Sequence, residues 1–218
     1  MIDSCRKQIV EEDAGLIADI LCTVETDREF LLDLLQTAPD LRDDVLDDPK
    51  LVGAIMEEVD KSSISPRLYL YIGLRHFLCK QGLNDRELAD YLSTMCVHFL
   101  FNTPWGTNNP MMRPDTYVNR VVDILADVTA REDWSRAWCL HSHLGHYLLF
   151  FTGLLPQVLH ALELQGSLPH DSYETVAKYH FKQASNFDVP GAPICDKLHA
   201  HFSSIKKCLN ELSISSFL

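Results

Sequence analysis

Three histidines, His141, His143 and His146, lie in the most apolar stretch of the chain, where imidazole nitrogens can ligate a metal or carry protons. Residues 138–155 contain no Asp, Glu, Lys or Arg, so we expect this stretch to be buried. Residues three or four positions apart share a helix face, so His143 and His146 converge whereas His141 points elsewhere. One helix face therefore supplies at most two ligands, and a metal there needs further ligands from another helix.

Further metal-ligand candidates lie towards the end of the chain. His180 is the candidate ligand from a second helix, and Cys195 and His199, four residues apart, can chelate as a pair. The competing interpretation is that these histidines are core residues whose ring nitrogens are satisfied by hydrogen bonds. The sequence favours that interpretation, so we expect no cofactor, with a bound metal or haem as the alternative.

Arg75 and His76 form a candidate site for an anionic ligand within residues 68–79, a run that is apolar on nearly every side. A guanidinium cannot shed its charge, so an enclosed Arg75 needs a carboxylate, carbonyl groups or an anionic ligand as its partner. We expect an internal ion pair with an acid such as Asp90 or Asp123, in preference to a bound anion.

Residues 102–115 are the longest stretch without helix signals, and long loops inside compact domains are often functional. The stretch carries three large apolar side chains, Trp105, Met111 and Met112, followed by Arg113. Methionine adapts well to binding surfaces, so we interpret the stretch as a partner-binding loop. An alternative of equal weight is that the loop folds back over the core, with Trp105 as its plug.

The elements that must position these residues are helices. Helical periodicity runs through almost the whole chain, and no stretch alternates apolar and polar residues as a strand does. An N-cap residue followed by proline marks two helix starts, at Asp48-Pro49 and at Ser65-Pro66. The sequence predicts an all-α, single-domain bundle of about eight to ten helices, with a buried central helix at about residues 133–155.

Acidic side chains are concentrated near the N-terminus. Residues 1–64 contain 17 acidic and 6 basic side chains, whereas residues 65–218 are nearly balanced, with 14 and 13. This difference predicts an acidic N-terminal helical region, 1–64, packed on a histidine-rich core, 65–218. It also argues against nucleic acid as the main partner, because phosphate contacts need clustered Lys and Arg.

The cysteines and the apolar runs bear on the cellular compartment. The seven cysteines are scattered and include no C-x-x-C pair, which is typical of a reducing cytoplasm. The first residues lack the apolar run of a signal peptide, and the histidines and glycines within residues 138–155 argue against a membrane span. We therefore expect a cytoplasmic protein without a transmembrane helix.

Residues 144–156 read Leu-Gly-His-Tyr-Leu-Leu-Phe-Phe-Thr-Gly-Leu-Leu-Pro, and the tyrosines Tyr173 and Tyr179 follow. This segment resembles the pattern L-G-x-Y-x-L-F-x-x-G-L-x-P of uncharacterised all-helical bacterial proteins. The resemblance implies a structural role, in which Gly145 and Gly153 permit close approach of other helices. It implies no activity.

The familiar catalytic motifs are missing from the sequence, which has no glycine-rich nucleotide loop, no G-x-S-x-G elbow and no C-x-x-C pair. We therefore expect a non-enzymatic protein-binding or regulatory module of the bacterial cytoplasm. It would contact a protein partner through the 102–115 loop and the acidic N-terminal helices. The alternative is a metal- or haem-dependent enzyme with His143, His146 and His180 at its site.

Overall fold

A computed structural model describes residue 6 and residues 9–58, 63–102 and 114–212. Over these residues the chain forms twelve α-helices and one π-helical segment, and no strand. The all-α prediction is confirmed. The helices exceed the predicted eight to ten partly because the C-terminal segment divides into two helices at His201.

The helices are α1 (Glu11–Leu21), α2 (Glu25–Thr37), α3 (Pro39–Leu46), α4 (Pro49–Gly53), the π-helical segment (Ala54–Glu58), α5 (Pro66–Lys80), α6 (Arg86–Asn102), α7 (Pro114–Ala130), α8 (Trp134–Leu154), α9 (Pro156–Glu163), α10 (His170–Ser185), α11 (Ala192–Ala200) and α12 (Phe202–Asn210).

Side-chain caps fix where several helices begin. Asp48 accepts a hydrogen bond from the backbone N–H of Lys50, and Ser65 accepts one from Leu68, each with proline at the first helical position. These satisfy backbone N–H groups that have no partner inside the helix. Both helix starts read from the sequence are therefore confirmed.

The chain divides into two compact units. The first unit comprises α1 to α6 together with Leu212, and the second comprises α7 to α12. The acidic helices α1 to α4 share a unit with α5 and α6, so the change of composition near residue 64 does not mark a boundary between units. The single domain expected from the sequence stays a prediction.

The second unit is built around α8, which covers nearly the range predicted for a central helix. It packs against α7, α9, α10 and α12, and every residue from 144 to 154 is buried. Glycines allow two of these approaches: a Cβ on Gly145 would lie 2.7 Å from the ring of Phe181, and one on Gly153 would lie 2.7 Å from Cβ of Leu209. Burial of the apolar run is thus confirmed from 144 to 155, whereas Cys139 is exposed and Trp138, Leu140 and His143 are half-buried.

In the first unit, every residue of α5 from 68 to 75 is buried. This burial encloses Arg75, which is 8% exposed, within an apolar helix. Within the parts of the chain that the structure describes, no helix combines the length and apolarity needed to cross a bilayer.

Candidate functional site

Arg75 forms a two-pronged ion pair with Asp47, the residue that follows α3. Its Nε and Nη2 atoms donate to the two carboxylate oxygens, each at 3.0 Å, and Nη2 also donates to Oδ1 of Asn84 at 2.6 Å. The acid is therefore neither Asp90 nor Asp123, which the sequence suggested. The tertiary contact that brings Asp47 to Arg75 decides the partner, and this contact does not follow from the sequence of either helix alone.

A second arginine shares the same carboxylate. Arg86 donates from Nε to Oδ2 of Asp47 at 2.9 Å and from Nη2 to Oδ1 of Asp44 at 3.0 Å. Burial raises the pKa of Asp47, but the hydrogen bonds from Arg75 and Arg86 outweigh it and hold that pKa below its ordinary value. Asp47 is thus a fixed anion that orients two guanidinium groups.

A third arginine completes the cluster. Arg6 donates from Nε to Oδ1 of Asp43 at 2.7 Å and from Nη2 to Oδ2 of the same carboxylate. Its backbone N–H donates to Oδ1 of Asp90 at 2.9 Å, which gives that acid a partner other than Arg75. Three guanidinium groups are therefore held in place by carboxylates within the first unit.

These groups border a cavity of about 500 Å³, which we call the arginine cavity. The residues that line it are all polar or charged, namely Arg6, Asp43, Arg75, Asn84, Asp85, Arg86 and Glu87. Among the described residues, the buried Nη1 of Arg75 has no hydrogen-bond partner. A buried donor left unpaired costs about 1–3 kcal/mol, so an acceptor brought to this point would be bound with a corresponding gain.

His76, the other half of the predicted anion site, does not line the cavity. Its ring is half-buried and meets Phe77 edge to face, with 5.2 Å between ring centroids. Burial and the neighbouring charge of Lys80 lower the pKa of His76, so the ring is neutral near pH 7 and adds no positive charge for an anion.

In the second unit, His180 pairs with His141, which was not among the predicted metal ligands. Nδ1 of His141, on α8, lies 2.8 Å from Nδ1 of His180, on α10, and both rings are buried. One nitrogen must donate its proton to the other, so the two rings are in different tautomers. Burial lowers the pKa of both, that of His180 to about 4, and each therefore stays neutral at pH 7.

The two histidines that share a helix face each have their own side-chain partner. Nε2 of His143 lies 2.6 Å from the hydroxyl of Tyr117, and Nδ1 of His146 lies 3.3 Å from Oγ of Ser142. Burial, followed by the nearby His143, lowers the pKa of His146 to about 3. These are the contacts expected of core histidines whose ring nitrogens are satisfied.

The C-terminal metal-ligand candidates also have other partners. Sγ of Cys195 donates weakly to Oγ of Ser142 at 3.8 Å, and burial raises the pKa of its thiol. Nδ1 of His199 donates to the backbone carbonyl of Lys178 at 3.0 Å. No three of the predicted metal ligands form a converging group within the described residues.

One group of metal-ligating side chains does converge in the described residues, at the first turn of α10. Ligand atoms of His170, Asp171 and Glu174 all lie within 4.8 Å of one another. In the sequence, the spacing H-D-x-x-E could have indicated this group of ligands. However, Glu174 already forms an ion pair with Lys206, which occupies one of the three ligand groups.

Residues 103–113 of the predicted partner-binding loop, with Trp105, Met111, Met112 and Arg113, lie outside the described residues. Its role stays a prediction. Conversely, Arg6, which lines the cavity together with Arg75, was not among the site residues predicted from the sequence. The available signal was an arginine in an otherwise acidic N-terminal region.

No protein-family model, curated protein or solved structure matches this chain. The resemblance of residues 144–156 to bacterial helical proteins therefore stays a prediction.

Proposed function

We propose that this protein is a non-enzymatic binding protein whose arginine cavity holds a small anionic ligand. The observation that carries the proposal is the buried Nη1 of Arg75, which has no partner within the described residues. A carboxylate or phosphate oxygen at this point would form a charge-assisted hydrogen bond, which is stronger than a neutral one. The ligand would thus relieve a cost that the unliganded protein bears.

Two further features support an anion at this place. The cavity borders the start of α6, since Asn84 to Glu87 line it, and the positive end of a helix dipole favours negative charge. Its volume of about 500 Å³ lies in the range of small-molecule sites. The guanidinium groups of Arg75 and Arg86 are held by Asp47, so they are oriented before a ligand arrives.

This proposal retains the binding role expected from the sequence but places a binding site at the arginine cavity, in addition to the predicted 102–115 loop. A protein partner remains part of it, because the acidity of residues 1–64 favours a basic surface on the partner over nucleic acid. We also propose a bacterial cytoplasmic location, which free thiols at all six described cysteines support. The alternative of a metal- or haem-dependent enzyme has less support, because His143, His146 and His180 already have side-chain partners.

The test is anion binding to the full chain, measured by NMR titration with acetate and with inorganic phosphate. The variant is Arg75→Lys, which keeps the positive charge for Asp47 but removes the Nη1 donors. The matched control is Arg131→Lys, at an exposed arginine that pairs with Asp127. Circular dichroism confirms that both variants are folded.

We expect the wild-type protein and the Arg131→Lys variant to bind equally well. Loss of a charge-assisted hydrogen bond, worth about 1.5–3 kcal/mol, should weaken binding to Arg75→Lys by about tenfold or more. Equal affinity of the Arg75→Lys variant and the wild type, or no binding of acetate, phosphate or any other small polar carboxylate, would overturn the proposal.

A further inference from the structure

We infer that the ligand of the arginine cavity is a zwitterion that carries a carboxylate and an amine, namely a free amino acid. This inference rests on the proposed function and specifies the chemical class of its ligand. It follows from the charges that line the cavity, from the donors and acceptors that they leave open, and from the absence of apolar side chains in the lining.

The lining carries as many negative groups as positive ones. Its three arginines are matched by Asp43, Asp85 and Glu87, and two further carboxylates, Asp44 and Asp47, hold the same arginines from outside the lining. A dianion such as phosphate would meet repulsion from all five carboxylates. A zwitterion adds no net charge and places one group of each sign beside a complementary side chain.

The donors for a ligand carboxylate come from two residues of the lining, Arg75 and Asn84. Nη1 of Arg75 has no partner in the described chain, and Asn84 accepts from Arg75 through its oxygen, which leaves the amide N–H groups of Asn84 for a ligand. A carboxylate has two oxygens and accepts from both residues at once. The carboxylate of the ligand should be held more strongly than its amine, because one of the carboxylate's two donors is charged and buried.

The acceptor for a ligand amine is Glu87. This carboxylate is exposed, and no hydrogen bond or ion pair ties it to another described residue. The other two carboxylates of the lining are committed: Asp43 accepts from Arg6, and Asp85 accepts from the backbone N–H of Leu88 at 2.9 Å. Glu87 is therefore the lining carboxylate whose two oxygens can both accept hydrogen bonds from an ammonium group.

The polar lining also excludes other carboxylates. Ligand sites are usually lined by apolar and aromatic side chains that bury the body of the ligand. The arginine cavity has no such side chain in its lining, so a fatty acid or an aromatic acid would leave its apolar surface unmatched. A small acid that is polar along its length fits this lining.

The experiment compares ligands that differ in one charge. The probes are the standard L-amino acids, titrated singly into the full chain and followed by NMR or calorimetry, beside acetate and inorganic phosphate. The tightest amino acid is then compared with its N-acetyl derivative, which lacks the positive charge, and with its amide, which lacks the negative charge. We expect each derivative to bind about tenfold more weakly or worse, as for loss of one charge-assisted contact.

A variant pair locates the amine. Glu87→Gln should weaken binding of the amino acid severalfold and leave binding of its N-acetyl derivative unchanged or tighter. The matched control is Glu29→Gln, at an exposed glutamate of α2 that does not line the cavity, and it should change neither affinity.

The outcomes separate this inference from the proposed function. If acetate or phosphate binds as tightly as every amino acid, or the N-acetyl derivative binds as tightly as its parent, the zwitterion is refuted and the anion site stands. Tighter binding of the N-acetyl derivative would point to the C-terminus of a peptide. If neither amino acids nor simple anions bind, the inference and the proposed function fail together.

Discussion

Replacement of Asp47 by alanine should destabilise the protein more than any loss of a surface ion pair. Asp47 is the shared partner of Arg75 and Arg86, and Arg75 is 8% exposed. Removing the carboxylate leaves the Arg75 guanidinium enclosed with Asn84 as its remaining hydrogen-bond partner among the described residues. The resulting cost is that of a buried charge without a counterion.

The magnitude follows from the burial of the pair. Breaking a buried ion pair by removing one partner costs about 3–5 kcal/mol. The side chains of Arg75 and Asp47 are 10% and 23% exposed, so water can replace part of the lost contact. We therefore expect Asp47→Ala to lower the free energy of unfolding by about 2–3 kcal/mol.

The control uses the same two residue types on the surface. Arg131 and Asp127 pair one helical turn apart, with side chains 73% and 58% exposed, and such pairs contribute about 0.3–0.5 kcal/mol. Asp127→Ala should therefore lower the free energy of unfolding by at most about 0.5 kcal/mol. Urea denaturation followed by circular dichroism measures both variants, and hydrogen exchange of the α5 amides reports the first unit separately.

The pH dependence gives a second criterion for the same prediction. The pKa of Asp47 is below its ordinary value of 3.8 in the folded protein, so its stabilising effect is complete above pH 3.8 and is lost as the pH falls through the folded pKa. The difference between wild type and Asp47→Ala should accordingly shrink in acid. A loss no larger than that of Asp127→Ala at pH 7, or a difference that grows in acid, would refute this account of the cluster.

Two further predictions concern the second unit. Gly153→Ala should destabilise it by about 1–2 kcal/mol, because the new Cβ lies 2.7 Å from Cβ of Leu209 and overpacking outweighs the better helix propensity of alanine. The control Gly53→Ala meets no atom within 4 Å, and an equal urea midpoint for both variants would contradict the close approach. Acidification should also destabilise the fold: burial lowers the pKa of His146 from 6.5 to about 3, so between these pH values the unfolded chain binds a proton that the folded protein does not. The free energy of unfolding should fall by up to about 1.4 kcal/mol per pH unit from this residue, and an unchanged slope in His146→Leu would count against it.

The helices and their burial could be read from the sequence with good accuracy. The run from 138 to 155 lacks charge, and the structure buries residues 144–155 of it, nearly all of them within the helix Trp134–Leu154. The start signals at Asp48 and Ser65 likewise correspond to observed caps. These features are local, because helix caps and apolar periodicity depend on residues a few positions apart.

The candidate site was predictable only in part. An enclosed Arg75 that needs a partner followed from its apolar neighbours, whereas the cavity and the contribution of Arg6 did not. A cavity forms where several segments fail to fill space, and its lining here draws on residues from 6 to 87. No spacing rule joins residues so far apart in the chain.

The sequence by itself determined that this protein is helical, which segments are buried, and that its buried arginine and histidines need partners. Only the tertiary structure decided who those partners are. Arg75 pairs with Asp47, 28 residues away, and His141 pairs with His180, 39 residues away. The physical reason is that a buried polar group must be satisfied wherever it lies, while its partner depends on which helix faces it and at what rotation.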